Sequence, residues 1–350
     1  MRTDLKSHLC ITRPGQEGFL SSELKGLSSS LQCTEIGVGM VELSGVGVEV
    51  LFDFPVFFAC QLLPEASLVS ASSIKSWASL ITTQLIANRG DSDAPWSLQI
   101  YDVNSATTGR EYSRPSLIKQ EVLASLKQRR RTLLRSLEVF PSSKADLVQI
   151  ALTTPSEGYI SFASADLRQR LSPALSPFLA GYVAIPDDKA PPSRAFKKLE
   201  EALQVFDLPL RRGMACVDLG ACPGGWTYVL LKHGCSVSAV DRSALDPSIM
   251  KNRNVEFIKA DAFSWRPAGP VDLMVCDVIA APSKTLQLLA RWIHERLCRA
   301  FCVTIKFKGE PDFATLKDIR ELLTGRCRRF QGKQLTSNKN EVTVMGVLTD

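Results

Sequence analysis

The sequence predicts an α/β protein: a mainly parallel sheet flanked by helices in its second half, preceded by α+β material. Three observations lead there. From residue 215 onward, apolar runs of strand length alternate with segments of helical periodicity, the pattern of right-handed βαβ crossovers. The first run, ACVDLG (215–220), ends in a glycine-rich turn that opens a helix. The last two runs, near 327–335 and 341–348, have no full helix between them, which predicts an antiparallel hairpin at one edge.

Taken in chain order, residues 1–66 hold a helical stretch at 18–27 and a strand-like run, GMVELSGV, at 39–46. Residues 67–168 hold two amphipathic helices, near 73–87 and 115–138, and strands near 96–102 and 147–152. The segment 171–193 is proline-rich and lightly charged and reads as a linker. Residues 194–206 then place Leu199, Leu203 and Phe206 on one helix face. Strands follow at 215–220, 236–241, 255–261, 271–277 and 301–307, with helices at 226–232, 284–299 and 312–324. In the 284–299 helix, Leu286, Leu289, Ile293 and Leu297 share a face.

Composition narrows the class. A chain of 350 residues, 45% hydrophobic and 22% charged, suits two or three globular domains and excludes a disordered, collagen-like or membrane-embedded protein. No apolar run approaches the roughly 20 residues that cross a bilayer. The N-terminus, MRTDLKSHLC, lacks the apolar stretch of a signal peptide. Ten cysteines are scattered without CxxC spacing among only three histidines. That predicts reduced thiols in a cytoplasmic protein and no metal site.

The net charge of +6 is small, but it is unevenly placed. Residues 110–135 carry eight Lys/Arg against two Glu, and residues 317–339 seven against two acids, so the remainder is net acidic. The first block also has an apolar stripe of Leu117, Val122, Leu126, Leu133 and Leu137. One helix face can therefore pack while Arg129, Arg130, Arg131 and Arg135 either form a solvated face or meet phosphates, the second giving a salt-dependent contribution to RNA binding with little base information.

The sharpest motif is VDLGACPGGWT (217–227). Its glycines let backbone approach a ligand, and the helix that follows offers its N-terminal amides. Asp241 ends the next strand 21 positions after Gly220, where an acid holds a ribose hydroxyl pair. A dinucleotide site wants G-x-G-x-x-G, whereas this turn reads G-A-C-P-G-G with Asp218 before it. Asp218 would repel a pyrophosphate but suits the amino group of a methionine moiety, and Asp261 can accept from an adenine amine. The expected cofactor is S-adenosyl-L-methionine.

At the carboxyl edge of such a sheet stand Asp277, Lys306 and Glu341, with Lys198 on the preceding helix. Two lysines and two carboxylates from four segments can converge there. Methyl transfer to a ribose 2′-OH needs a base for a weakly acidic hydroxyl, and a lysine of lowered pKa would serve. Rival chemistries are less well matched. Base-amine methylation carries an N/D-P-P-Y string where this chain has CDVIAAP, and no Pro-Cys nucleophile follows the fourth strand. Cys222 and Cys276 read as structural.

SRAFKKLEE, VDLGACPGGWT, the strand-ending CD, the VTIK strand and the NEVTV strand resemble the FtsJ-type ribose 2′-O-methyltransferases. That resemblance implies a Lys–Asp–Lys–Glu tetrad at Lys198, Asp277, Lys306 and Glu341, with Lys306 the proton acceptor. Lys198 is chosen over the adjacent Lys197 because it directly precedes LEE. DLGACPGGWTY, APPSRAFKKLEEALQVF and an N-terminal RPGQEGFLSSEL are more specifically similar to the large-subunit ribosomal RNA ribose methyltransferase M family, which modifies a cytidine of bacterial 23S rRNA. The resemblance is strong from about residue 177 onward.

It implies a ferredoxin-like domain at 1–66, a THUMP RNA-binding domain at 67–170, the linker at 171–193, and a Rossmann-like S-adenosylmethionine-dependent methyltransferase domain at 194–350. It also implies cofactor contacts at Ser193, at Cys222, Pro223, Gly224 and Gly225, and at Asp241, Asp261 and Asp277, beside Asp218 and Gly220 of the turn. The expected partner is ribosomal RNA, 23S or its precursor, for a monomer with no metal and no membrane. Two other readings stay open: methylation of a tRNA or another rRNA site, and a non-catalytic RNA-binding assembly factor that keeps the fold.

Overall fold

The computed structural model describes residues 7–28, 30–45, 47–52, 55–106, 113–138, 142, 144–307, 309 and 313–349. The chain divides into two compact units at Tyr182/Val183. The first unit contains β1 (Ser7–Ile11), α1 (Glu17–Leu27), β2 (Gln32–Gly37), β3 (Met40–Ser44), β4 (Gln61–Ser70), α2 (Ile74–Arg89), β5 (Trp96–Asp102), α3 (Val103–Ala106), α4 (Ser113–Arg129), α5 (Arg131–Arg135), β6 (Asp146–Leu152), β7 (Glu157–Ala163) and α6 (Ala165–Arg170). Its seven strands form one sheet in the order β2-β3-β1-β4-β7-β6-β5, in which β5 and β6 run parallel and the other neighbours antiparallel.

β4 joins the two halves of this sheet. Gln61–Leu63 and Ala66 pair with β1 and Ser67–Ser70 with β7, so the domain boundary expected between residues 66 and 67 lies inside β4, where the strand changes partner. The expected linker is also partly structural. Leu171, Ala174 and Leu175 are buried. The Ser176 amide donates to Gln61 Oε1 at 2.7 Å, and Gln99 Nε2 donates to the Pro177 carbonyl at 2.9 Å. These buried amide partners draw residues 171–182 onto the first unit.

The single helix expected at 115–138 is two helices. Arg130 breaks it with φ −155° and ψ 73°, and its guanidinium donates to the Asp91 carboxylate and the Gly90 carbonyl. The buried face of α4 is Pro115, Ile118, Val122 and Leu126. Leu117, expected in that stripe, is exposed, because the i, i+3, i+4 spacing runs through its neighbour Ile118.

The second unit contains α7 (Phe196–Val205), β8 (Ala215–Leu219), α8 (Gly225–Lys232), β9 (Ser236–Asp241), α9 (Pro247–Met250), β10 (Val255–Lys259), β11 (Val271–Cys276), α10 (Pro282–His294), β12 (Cys298–Lys306), α11 (Phe313–Leu323), β13 (Cys327–Lys333) and β14 (Glu341–Leu348). Its sheet has the order β10-β9-β8-β11-β12-β14-β13. Five strands are parallel, and β14 inserts antiparallel between β12 and β13. The hairpin is therefore at the edge, as expected, with its second strand inside.

Helix α10 ends at His294, earlier than the periodicity suggests. Arg296 turns the chain at φ +52°, and Cys298 and Arg299 already belong to β12. Apolar spacing alone does not separate a helix from the strand that continues its apolar run. Leu199, Phe206, Leu289 and Trp292 are buried, and the central strands β11 and β12 are buried along nearly their whole length, as strands covered on both faces are. From β8 the sheet grows one way through β9 and β10 and the other way through β11 and β12. The switch point between β8 and β11 opens a crevice beyond their carboxyl ends.

Candidate active site

Four charges from four elements meet at that edge. In the register of β12 and β14, Lys306 lies opposite Glu341. Asp277 follows the last residue of β11, and α7 carries Lys198 across to it. Lys198 Nζ lies 2.7 Å from Glu341 Oε1 and 3.0 Å from Asp277 Oδ2. Lys306 Nζ lies 3.0 Å from Asp277 Oδ1 and donates to the Asp277 carbonyl at 2.8 Å. One carboxylate thus serves both ammonium groups. Lys197, one residue earlier, turns the other way and pairs with the exposed Asp187 at 2.7 Å.

The electrostatics give the two lysines different surroundings. Burial pulls the Lys198 pKa down, but Asp277 and Glu341 together outweigh it and hold the group above the ordinary lysine value. Lys198 is therefore a fixed cation at neutral pH, opposite in direction to the lowered lysine expected of a base. Lys306 has Asp277 alone as its acceptor among the described residues, through carboxylate and carbonyl. Of its three donor positions, two are directed by one residue.

The glycine turn lies beside this cluster. Gly220 has φ +74°, and a Cβ there would sit 3.1 Å from Cβ of Val278. A Cβ at Gly225 would lie 2.4 Å from Ser193 Oγ, so only glycine lets the start of α8 approach residue 193. The Ser193 hydroxyl is buried and has no partner among the described residues. A cleft of about 430 Å³, within the usual range of small-molecule sites, is lined by Gly220, Asp241, Asp261, Phe263, Val278 and Ile279 among others.

Asp241 accepts from the Cys222 amide at 3.0 Å and the Ser243 amide at 2.8 Å, which ties the turn to the end of β9. Asp261 accepts from Arg242 at 2.7 Å. Each carboxylate keeps acceptor positions beyond these bonds. Bare backbone at Gly220, two acids along the rim and apolar Phe263, Val278 and Ile279 together fit a nucleoside-bearing ligand.

Other expected contacts lie differently. Asp218 is 2% exposed and does not line the cleft. Its carboxylate accepts from the Thr227 hydroxyl at 2.6 Å, and burial raises its pKa to about 7. Pro223 and Gly224 form the turn's far side, with Gly224 at φ +113° as the N-cap of α8. Burial and Asp241 push the exposed Cys222 thiol up, and burial pushes Cys276 up to about 12, so neither favours a thiolate. Among the described residues no His, Cys, Asp or Glu cluster could hold a metal ion. Sequence reasoning missed Arg242, Phe263, Val278 and Ile279, which line the cleft from loops without motif character, and Lys284 on the first turn of α10.

In the first unit, Arg129 donates to Thr83 Oγ1 at 3.4 Å, Arg130 is held as described above, and Arg131 Nε donates to the Lys127 carbonyl at 3.3 Å. Arg135 is exposed. Arg110 of the same basic block lies outside the described residues. In the other block, Arg326 donates to carbonyls at the end of α11 and Arg329 to the Phe206 and Asp207 carbonyls, while Lys333 is buried.

This sheet order, glycine turn and carboxyl-edge cluster define a methyltransferase-type fold, and residues 191–311 match the model of the FtsJ-like methyltransferase family. More particularly, the chain is similar to proteins named ribosomal RNA large subunit methyltransferase M. That of an Azoarcus species is 39% identical over 43% of this chain and 45% of its own length. That of Edwardsiella ictaluri is 35% identical over 63% and 59%, and that of Marinobacter nauticus 34% identical over 58% of each. The matches thus span about half the length of these relatives.

Proposed function

We propose that this protein transfers a methyl group from S-adenosylmethionine to a ribose 2′-OH of ribosomal RNA, specifically a cytidine of 23S rRNA. The observation that carries the reading is the ion cluster of Lys198, Asp277, Lys306 and Glu341 beside a nucleoside-sized cleft. The named relatives and the FtsJ-like match supply the substrate class. When bound, S-adenosylmethionine supplies an electrophilic methyl on a sulfur that leaves as a neutral thioether.

The chain's own residues do the rest. Gly220 and the Cys222–Gly225 turn would admit the cofactor's tail, Asp241 would accept from its ribose hydroxyls and Asp261 from its adenine amine. Ser193 offers a hydroxyl that no group among the described residues uses. Lys306, acting in its neutral form, takes the hydroxyl proton as the ribose oxygen attacks. Asp277 aims it by accepting from Nζ twice. Lys198, kept charged by Asp277 and Glu341, orients those carboxylates and neutralises them. The first unit, read as ferredoxin-like and THUMP-type parts on one sheet, would grip the RNA, with Arg129, Arg130, Arg131 and Arg135 on its basic segment. A ribosomal RNA substrate places the protein in the cytoplasm.

Two measurements test this. Lys306→Ala should abolish methylation of rRNA while S-adenosylmethionine still binds; a variant that methylates normally overturns the mechanism. Ribose-methylation mapping in cells lacking the gene should show one lost cytidine 2′-O-methyl group in 23S rRNA. Loss in a tRNA or at another rRNA site would replace the substrate, and no loss at all would overturn the reaction.

A further inference from the structure

Helix α7 is not part of the sheet, yet it must bring Lys198 to the sheet edge within hydrogen-bond tolerance. What sets that distance is visible one helical turn further on. Glu201, 1% exposed, lies three residues after Lys198 and so on the same face of α7. Its two oxygens accept from successive amides of the β13–β14 loop: Oε1 from Thr336 N at 2.6 Å and Oε2 from Ser337 N at 3.0 Å. These are charge-assisted bonds to backbone, made across 135 and 136 residues.

The same loop delivers Glu341. Within it, Asn338 Nδ2 donates to the Glu341 carbonyl and to Thr343 Oγ1, and Gln334 Nε2 donates to the Lys339 carbonyl. The Phe307 amide donates to the Asn340 carbonyl at 2.9 Å, and Asn340 Nδ2 returns a bond to the Phe307 carbonyl. All of these bonds lie among the end of β12, the β13–β14 loop and β14, so none of them reaches α7. Arg329 does so only at the far end, through the carbonyls of Phe206 and Asp207. Next to the ion cluster, Glu201 bonds α7 directly to this loop.

We propose that Glu201 is a positioning residue for the catalytic cluster, clamping the Thr336 and Ser337 amides so that Glu341 is presented to Lys198. This rests on the methyltransferase reading for its kinetic consequence, but not for its structural one. Loosening the clamp lets the start of β14 and α7 drift apart, and a displacement of about 1 Å at such a site lowers turnover by roughly 100-fold. Glu201→Gln keeps the side-chain shape and one accepting oxygen but turns an NH₂ group toward the other amide N–H, which keeps one bond and replaces the other with a donor–donor repulsion.

The test uses the full chain with three readouts. In Glu201→Gln, kcat for rRNA methylation should fall about 10- to 100-fold. The Kd of S-adenosylmethionine and the KM of the RNA should stay within about twofold. In lysine side-chain NMR, the Lys198 titration should move down toward the ordinary lysine value, because Glu341 no longer faces it squarely. If kcat stays within twofold of wild type and the Lys198 titration is unmoved, Glu201 is core packing and the proposal fails. Loss of kcat and cofactor binding together, with Lys198 unmoved, overturns it as well. Should Glu201→Gln not fold, amide hydrogen exchange in the wild type decides. Protection of Thr336 and Ser337 equal to that of β14 supports the clamp, and solvent-rate exchange at either overturns it. A wild type that methylates no RNA, with the Lys198 shift still seen in Glu201→Gln, sinks the functional reading and leaves the clamp standing.

Discussion

Two groups of charges in this molecule were assembled in opposite ways. At the edge of the second unit, Lys198, Asp277, Lys306 and Glu341 come from four separate elements and meet at 2.7–3.0 Å. In the first unit, Arg129, Arg130 and Arg131 are contiguous, yet their guanidinium groups part to Thr83, to Asp91 with Gly90, and to Lys127. Contiguous like charges need no fold to collect them, and they settle on the nearest acceptor. Distant charges that converge need the fold to hold them half-desolvated against one another, which is what a reacting group requires. Adjacency in sequence makes an electrostatic field; convergence in space makes a site.

The largest effect should come from removing the shared acceptor. Asp277→Ala leaves Lys198 and Lys306 without their common partner, so methylation should fall at least ~1,000-fold and stability by about 3 kcal/mol. Single-turnover assays and urea denaturation read the two. If activity persists, the cluster is an ordinary ion pair and the contrast with the arginines disappears.

Core substitutions sharpen the comparison next. Leu289→Ala, under the parallel sheet, should cost about 2–5 kcal/mol. Leu117→Ala, on the exposed side of α4, should stay within about 0.5 kcal/mol. Equal losses in urea midpoint would mean that α4 packs by the face the sequence alone suggested.

Asp218 offers a pH test. Its pKa is about 7 in the folded state against an ordinary value of 3.8, so between those values the folded chain keeps a proton that the unfolded chain has released. Its contribution to stability is therefore lost as pH rises from about 4 to about 7, and is level above. Asp218→Asn should flatten that part of the profile of urea midpoint against pH; an unchanged slope would assign it to other groups.

The smallest effects belong to the arginines. Arg135→Ala, at an exposed guanidinium, should weaken RNA binding less than about tenfold and lower the slope of log K against log salt by roughly 0.7–0.9. Arg130→Ala should leave that slope unchanged, because its guanidinium already serves Asp91 and Gly90. A reversed order would show that Arg130 leaves Asp91 when RNA binds.

Much of the second unit was legible because local signals and tertiary pairing agree there. β9 and β14 fall at 236–241 and 341–348 as the apolar runs indicate. In the first unit the sequence pattern shows none of β1, β2, β4 and β7. Their partners lie far along the chain: Leu9 pairs with Leu63, and Ser67 with Ile160. Sheet pairing of that range leaves short, irregular strand signals, since each strand is completed by a neighbour that no local window contains. The cleft was half legible for the same reason. Asp241 and Asp261 stand at strand ends in a recognisable pattern, whereas Phe263, Val278 and Ile279 become lining only because loops after β10 and β11 close on the turn.

By itself, the sequence determined which groups were available: a glycine turn that backbone can approach closely, acids at the ends of successive strands, and two lysines and two carboxylates of the right types. The choice of Lys198 over Lys197, indicated by its place before LEE, has its physical reason in the tertiary structure: one residue is about 100° of helix and sends Lys197 to Asp187 and Lys198 to Asp277. The tertiary structure alone decided that Asp218 went under the turn to Thr227 and that Glu201 went to the amides before Glu341. A residue type states what a side chain can do. Burial and its neighbours, which depend on packing between elements far apart in the chain, state what it does.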